Sequence, residues 1–203
     1  MPDSANETAF TPAVRVQQDR LGSRQAYARW EESRGFQQTI SEELARFISE
    51  RDSLYLGTAG AEGQPYIQHR GGPRGFLKVI DSRTLAFADF SGNRQYISVG
   101  NLSENSKAFI FLTDYENSAR FKIWGSAEFI EDDPELLGSL ADPGYDAALE
   151  RAIRFRVEAW DKNCRKHIPT LVPAFHAERA RELSDRVAEL EQELRALRTE
   201  RSR

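Results

Sequence analysis

The feature that most constrains the fold is a succession of strand-length apolar segments between residues 53 and 160. Each segment alternates apolar and polar residues or is continuously apolar, which is typical of β-strands. Few helices interrupt the segments, whereas a parallel sheet would need a long crossover between strands. The pattern therefore predicts a mainly β domain, a closed or nearly closed barrel of six to seven antiparallel strands. The predicted strands are 53–59, 65–69, 75–81, 84–89, 107–113, 119–131 and 151–160.

Turn residues and short helices separate these strands. Gly60–Gly63 predicts a hairpin turn, and Asp81–Arg83 predicts a tight connection whose Asp and Ser side chains bond the backbone. Short helices are predicted over 95–104 and 134–140. Together these breaks place the segments as neighbouring strands of one domain.

The segments before the barrel differ in character. Residues 1–37 are polar and lack sustained periodicity, so we expect an extended or partly helical arm that contributes little core. Thr39 and Glu42 have the spacing of a helix capping box. Apolar residues then follow at helical spacing, which predicts a short amphipathic helix leading into the domain: Ile40, Leu44, Phe47 and Ile48.

The C-terminal segment carries a heptad pattern. Ala180, Val187 and Leu194 occupy a positions, and the d positions hold the three leucines Leu183, Leu190 and Leu197. In a parallel pair of helices the g and e positions would bring together opposite charges, Arg186 with Glu191 and Glu193 with Arg198. The alternative is a single amphipathic helix lying on its own barrel. The predicted organisation is an arm at 1–37, a barrel at 38–173 and a helix at 174–203.

Composition excludes several classes of protein. The net charge of −4 gives no reason to expect a nucleic-acid partner. No apolar run approaches the roughly 20 residues that span a bilayer, and the N-terminus lacks a secretory signal pattern, so we expect a cytoplasmic protein with no membrane partner. With one cysteine and three histidines, an internal disulfide is excluded and a structural zinc site would have to use carboxylates.

Two polar segments have the composition of an anion site. Residues 68–78 bring four potential cations together around glycines at a strand-to-strand corner, where backbone and guanidinium donors suit a terminal phosphate. Residues 89–96 end a strand and precede a helix that Ser91 or Asn93 could cap, with Arg94 near the positive end of that helix. A solvated basic loop and an ordinary helix cap are the alternatives.

The order of these segments resembles the FMN-binding split-barrel proteins related to pyridoxamine 5'-phosphate oxidase, over residues 39–168. The strings that carry the resemblance are GTAGAEGQPYIQHRGG, GFLKVID, TLAFADF, SGNRQYISVGNLSEN and FKIWGSAEFIEDDPEL. The strings IQHRGGP and VEAWDxNCxxHI are most similar to a subgroup described as FMN-dependent enzymes. The resemblance implies a split β-barrel that binds FMN at a homodimer interface and takes a small-molecule redox substrate or electron donor.

The resemblance also implies roles for particular residues. Arg70, Lys78, Ser91, Arg94 and Gln95 correspond to the grip on the FMN phosphate. Polar and backbone groups of Gln68, His69 and Val79 would face the isoalloxazine edge. Trp124 lies on a strand pair that contributes to the subunit interface, so it would either reach the partner's flavin or serve as a plain interface or core aromatic.

The chain also departs from the family pattern. True pyridoxamine phosphate oxidases end in a short Arg-containing segment that binds the substrate phosphate, whereas this chain continues through 169–175 into the heptad helix. Oxidation of vitamin B6 is therefore not expected, and an FMN-dependent oxidoreductase of unknown substrate is. The alternatives are a non-catalytic split barrel that binds flavin or haem, and a purely structural dimerisation protein. Cys164, near Arg165 and His167, is open to a redox role.

Overall fold

The computed structural model describes residues 4–171 and 174–201, and within them the chain forms seven helices and seven strands. The helices are α1 (Ser4–Ala9), α2 (Pro12–Arg20), α3 (Arg24–Ser33), α4 (Glu42–Ser49), α5 (Ile97–Glu104), α6 (Pro134–Leu140) and α7 (Ala174–Arg201). The strands are β1 (Ser53–Ala59), β2 (Pro65–Gly71), β3 (Lys78–Asp81), β4 (Thr84–Phe90), β5 (Lys107–Asp114), β6 (Ala119–Ile130) and β7 (Leu149–Lys162). The mainly β fold class and the predicted strands are confirmed.

The strands form one antiparallel sheet in the order β2-β1-β5-β6-β7-β4-β3. Hairpins account for the β1–β2, β3–β4 and β5–β6 pairs, while β1–β5 and β4–β7 join strands distant in sequence. In the described chain β2 and β3 do not pair with each other, so the sheet is open, and of the two predicted forms, a closed or a nearly closed barrel, the closed one is not formed.

Alternation along the strands builds the main core. In β1, Leu54 and Leu56 are buried while their neighbours are more exposed, which places one face of the strand against the interior. Strand β4 is buried on both faces. Its Leu85 and Phe87 join the main core, and Ala86 and Ala88 pack with Leu140 of α6 in a second cluster. The alternation that predicts the strands therefore also fixes which side chains fill the core.

The N-terminal arm is more ordered than its composition indicates. It forms α1, α2 and α3, and Ala5 and Phe36 are buried in a third apolar cluster with Ala159 of β7. Trp30 and Trp124 each lie edge-on to Phe36, with ring centroids 5.0 and 5.3 Å away. The expectation of little core from residues 1–37 is wrong, because scattered aromatic residues find a sheet face to pack on.

Two predicted helix caps differ from those in the structure. Ser41, not Thr39, is the N-cap residue of α4, and its hydroxyl accepts a hydrogen bond from the amide of Leu44 at 3.2 Å. Neither Ser91 nor Asn93 caps α5, which begins two residues later than predicted. Tyr96 occupies that cap position, and no side chain in the described chain caps it. In both cases the local sequence offered several polar candidates, and the path of the chain selected among them.

The chain divides into two compact units. The first contains residues up to 114 together with 119–165, and the second contains 115–118 and the residues from 166 onward. The sheet, its cores and the polar pocket belong to the first unit, and α7 belongs to the second. Predicted seam residues Glu193, Leu197 and Arg198 lie outside the described side chains.

Candidate functional site

The main candidate site is a cleft of about 280 Å³ between β2, the end of β4 and the beginning of α5. β2 lies at one end of the strand order and β4 is next to the other end, so the cleft marks the seam where the open sheet curls back on itself. Residues lining the cleft include Tyr66, Gln68, His69, Arg70, Asp89, Asn93, Arg94, Gln95, Tyr96, Ser98 and Glu150.

Strand β2 directs polar side chains toward this seam. Tyr66, Gln68 and Arg70 alternate with the exposed Ile67 and His69, and they pair in register with the residues of β1 that face the core. The Tyr66 hydroxyl hydrogen-bonds Gln68 Oε1. A polar row on the interior side of an edge strand reverses the usual pattern, which indicates that this face serves a site rather than the core.

An ion pair crosses the seam. Arg70 of β2 donates through Nη1 to Asp89 Oδ1 of β4. Asp89 is buried, and burial raises the pKa of its carboxyl, while the positive charges of Arg70 and Arg151 oppose that shift. The pair therefore links β2 and β4, two strands that form no backbone hydrogen bonds with each other in the described sheet.

Arg151 of β7 links most of the charged groups around the cleft. It is 9% exposed, and its guanidinium lies 2.8 Å from Glu150, 3.6 Å from Asp89 and 3.7 Å from Glu131. The guanidinium carbon also lies 5.2 Å from the centroid of the Tyr96 ring. Because Glu150 in turn reaches Arg94 at 3.8 Å, Arg151 connects the seam ion pair to the loop before α5.

That loop has a strained backbone. Arg94 and Tyr96 have φ of 57° and 53°, in the left-handed region that non-glycine residues rarely adopt. Such conformations persist where surrounding contacts hold them and are often associated with functional sites. The loop leaves the first turn of α5 pointing at the cleft without a side-chain cap from the described residues.

Ser98 stands in that first turn. It is 3% exposed and lines the cleft, and its Oγ has no hydrogen-bond partner in the described chain. Arg70 Nε is likewise buried without a partner among the described residues. Buried polar groups are usually satisfied, so two unpaired donors at one cleft indicate a place for an external acceptor.

The structure brings together some of the predicted site residues. Gln68, Arg70, Arg94 and Gln95 line the cleft, and Ser91 lies in the same loop between two lining residues. His69 also borders the cleft, but its ring packs against Tyr55, 5.6 Å between centroids, on the other face of β2.

Three predicted residues lie elsewhere. Lys78 and Val79 line a second depression with Ser49 and Arg74. Trp124 packs against Phe36 and Phe109, with centroids 5.3 and 5.0 Å away, which is the core-aromatic alternative for this residue within one chain. A contact between Trp124 and a partner's flavin stays a prediction.

Several residues in and around the cleft were not predicted from the sequence. Tyr66, Asp89, Ser98, Glu150 and Arg151 were not among the predicted site residues. A signal existed for one of them, because Arg151 stands in the same alternation as Ile153, Phe155 and Val157, the buried apolar residues of the strand. Charges in such a position are buried only when they are paired.

A metal site and a membrane-spanning helix are both absent from the part of the chain that the structure describes, residues 4–171 and 174–201. No group of three or more His, Cys, Asp or Glu side chains there could hold a metal ion. None of the described helices has both the length and the apolar character to cross a bilayer.

Comparison with known proteins gives the family. Residues 40–183, more than half of the chain, match the family model described as pyridoxamine 5'-phosphate oxidase. The chain belongs to the pyridoxamine 5'-phosphate oxidase family. No curated protein matches this family member.

Solved structures resemble this pyridoxamine 5'-phosphate oxidase family member in fold. HupZ of group A Streptococcus is 19% identical with a TM-score of 0.50, over 66% of this chain and 99% of that one. An FMN-binding protein of Syntrophomonas wolfei is 16% identical with a TM-score of 0.48, over 73% and 97%. The haem storage protein HutZ of Vibrio cholerae is 18% identical with a TM-score of 0.42, over 59% and 89%. At these identities the likeness extends to the fold alone.

Proposed function

We propose that the cleft holds FMN and that the protein is an FMN-dependent oxidoreductase acting on a small molecule. The observation that carries this proposal is Ser98 Oγ, a buried hydroxyl without a partner in the described chain, in the uncapped first turn of α5 and lining the same cleft as Arg94. Helix N-termini bind phosphate groups because their amides and dipole both favour a negative charge. The family assignment makes FMN the phosphate-bearing ligand to test.

The residues present fit a phosphate. Ser98 would donate its hydroxyl, the first amides of α5 would donate their N–H groups, and Arg94 would supply a forked donor from its exposed position. Arg70 has an unpaired Nε that adds a second guanidinium donor. These groups would hold the phosphate and leave Tyr66 and Gln68 of the polar row to orient the ring.

Bound FMN would supply the hydride or electron transfer, and the protein would supply position and electrostatics. Gln68, on the interior face of β2, would hydrogen-bond the polar edge of the ring. The positive charge of Arg70, the third member of that row, would also favour a negative charge on reduced flavin at longer range. Asp89 limits this effect because it already neutralises part of the charge on Arg70.

The proposed assembly is a homodimer. On the outer face of β1 and β2, Ile67 is 69% exposed and Tyr55 is 38% exposed, although both lie in the middle of strands. Apolar residues at the centre of a sheet face are commonly covered by a partner. A second copy would cover this face next to the cleft, and His69, which stands on the same face, would then reach the partner's site.

The test is a pair of ligand titrations on the purified protein, with FMN and with riboflavin, which lacks the phosphate. We expect tight binding of FMN and binding of riboflavin weaker by at least about tenfold, or roughly 1.4 kcal/mol. Anaerobic addition of a nicotinamide donor should bleach the flavin absorbance. Ser98→Ala should reduce the preference for FMN over riboflavin without preventing folding.

Three results would contradict the proposal. A protein that takes up neither flavin has no FMN site. A Soret band in the absorbance spectrum of the purified protein would favour the alternative of a haem-binding module. Flavin that binds but is reduced by no nicotinamide donor would favour a non-catalytic flavin carrier.

A further inference from the structure

Helix α7 exposes an apolar stripe along its length. The heptad seam is defined as Ala180, Leu183, Val187, Leu190, Leu194 and Leu197. Its four large described members, Leu183, Val187, Leu190 and Leu194, are 52%, 55%, 43% and 52% exposed. The helix has 28 residues, which corresponds to a length of roughly 42 Å.

A helix with this pattern requires an apolar partner. Isolated helices are marginally stable in water, and most helical stability in proteins comes from packing one face. Apart from Ala188, the described side chains that flank the seam between residues 178 and 192 are polar and exposed, so they offer no second apolar stripe. The seam is therefore the only stripe of the described helix on which another element could pack.

We propose that α7 pairs with α7 of a second copy of this chain as a parallel two-stranded coiled coil. The spacing of the seam, alternately three and four residues, is the knobs-into-holes repeat of such a pair. Leucine at every d position and β-branched Val187 at a central a position favour two parallel strands. The matching stripe is available on any second copy, since both helices have the same sequence.

Charge complementarity supports the second copy as the occupant. In a parallel pair, Arg186 at a g position faces Glu191 at the following e position of the other helix, and Glu193 faces Arg198 in the same way. Within one helix Arg186 lies 2.8 Å from Glu189, but both side chains are exposed. An exposed pair of this kind is weak, so Arg186 can exchange this partner for Glu191 of the other helix.

The experiment uses disulfide formation between full-length chains in a Cys164→Ser background, which removes the native cysteine. One variant carries Leu190→Cys at a d position, and its matched control carries Gln192→Cys, two residues away at an outward f position. In a parallel pair the two d positions face each other within the Cα distance of roughly 4.4–6.8 Å that a disulfide needs.

We expect Leu190→Cys to form a covalent dimer under mild oxidation at least about tenfold faster than Gln192→Cys, by non-reducing electrophoresis. This readout reports contact between the helices even if another face also holds the dimer. Equal rates for the two variants would overturn the proposal. They would also indicate the alternative, a helix that packs its seam within its own chain.

Orientation is tested separately. In an antiparallel pair with the seams in register, Leu190 would face Val187 of the other copy. A mixture of Val187→Cys and Leu190→Cys chains would then cross-link faster than either variant alone, and this result would overturn the parallel arrangement. The proposed ion pair between Arg186 and Glu191 of the other helix provides a second check. Arg186→Glu should weaken the association of the two α7 helices, and adding Glu191→Arg to the same chain should restore it.

Discussion

Replacing Arg151 with Met tests whether one buried guanidinium organises the cleft. Met keeps much of the length and the apolar stem of the side chain but removes its charge and donors. The substitution breaks contacts to Glu150, Asp89 and Glu131 and removes the cation from the face of Tyr96. Both the stability of the fold and the geometry of the loop before α5 should therefore change.

The expected magnitude follows from burial. Removing one partner of a fully buried ion pair costs about 3–5 kcal/mol, because the other charge is left uncompensated. Here Asp89 keeps Arg70 as a partner and Glu131 is largely exposed, so we expect a cost of about 2–3 kcal/mol. For a chain of this size that lowers the Tm by roughly 5–10 °C.

The effect on the ligand should be separable from stability. Without Arg151, Tyr96 loses its cation–π partner and Glu150 loses its closest cation, so Arg94 is held less firmly near the proposed phosphate site. We expect FMN affinity to fall about tenfold, or about 1.4 kcal/mol, and riboflavin affinity to stay within about twofold. A purely structural role would lower both affinities together.

Arg154→Met is the matched control. Arg154 lies on the same strand, three residues on, and its pair with Glu128 is exposed on both sides. Exposed pairs contribute about 0–1 kcal/mol, so this variant should unfold near the wild-type temperature. Thermal unfolding and flavin fluorescence titration measure both quantities. If the two variants have the same Tm, or if Arg151→Met leaves the FMN-to-riboflavin ratio unchanged, the role assigned to Arg151 is refuted.

Four other changes have defined outcomes. Arg94→Ala should weaken FMN binding by roughly 10–100-fold, the value of a charge-assisted contact, with little change in Tm because the side chain is exposed; unaltered flavin content would remove it from the phosphate site. Gly125→Ala should destabilise the fold by at least about 2 kcal/mol in urea titrations, because the added Cβ would lie 2.1 Å from the carbonyl oxygen of Arg156. A wild-type urea midpoint would show that the β-bulge between Trp124 and Gly125, where the register of β6 and β7 shifts, adapts to the methyl group. Burial raises the pKa of Asp89 above its ordinary value of 3.8. Between that value and the raised pKa the folded state holds a proton on Asp89 that the unfolded state has released, so the free energy of unfolding falls as pH rises through this window. The stability of Asp89→Asn relative to wild type should therefore improve with pH in this range, and the opposite slope would mean a lowered pKa. Truncation after Phe175 should shift the dimer–monomer equilibrium toward monomer in a dilution series, and an identical mass profile would show that α7 does not contribute.

Parts of the fold were predictable because their signals are local. Six of the seven strands begin within two residues of the predicted positions, and the exception, β3, begins three residues later. The side chains that alternate along a strand report directly on its two faces. Helix α6 has the predicted bounds, since Asp133 and Pro134 mark its beginning and Asp133 accepts from the amide of Leu136. The N-terminal helices were harder to predict, because their apolar contacts are a few scattered aromatics rather than a periodic face.

The candidate site was predictable only in part. Arg70 and Arg94 were found because they stand among glycines and turn residues, which is a local composition. Asp89, Ser98 and Arg151 look like ordinary strand and helix residues along the sequence. The importance of Ser98 comes from its burial. That of Asp89 and Arg151 comes from burial and from distant partners, since Asp89 pairs with Arg70, 19 positions away, and with Arg151, 62 positions away.

The sequence by itself determined the β character of the domain, the hairpins and the heptad repeat of the last helix, because each depends on neighbours within a few residues. The tertiary structure alone decided that the sheet stays open and that β2 and β4 meet across a seam. It also decided that Arg151 is buried where it joins Asp89 to the loop before α5. These features depend on how a twisted sheet of strands distant in sequence curls, and no local pattern encodes that curvature.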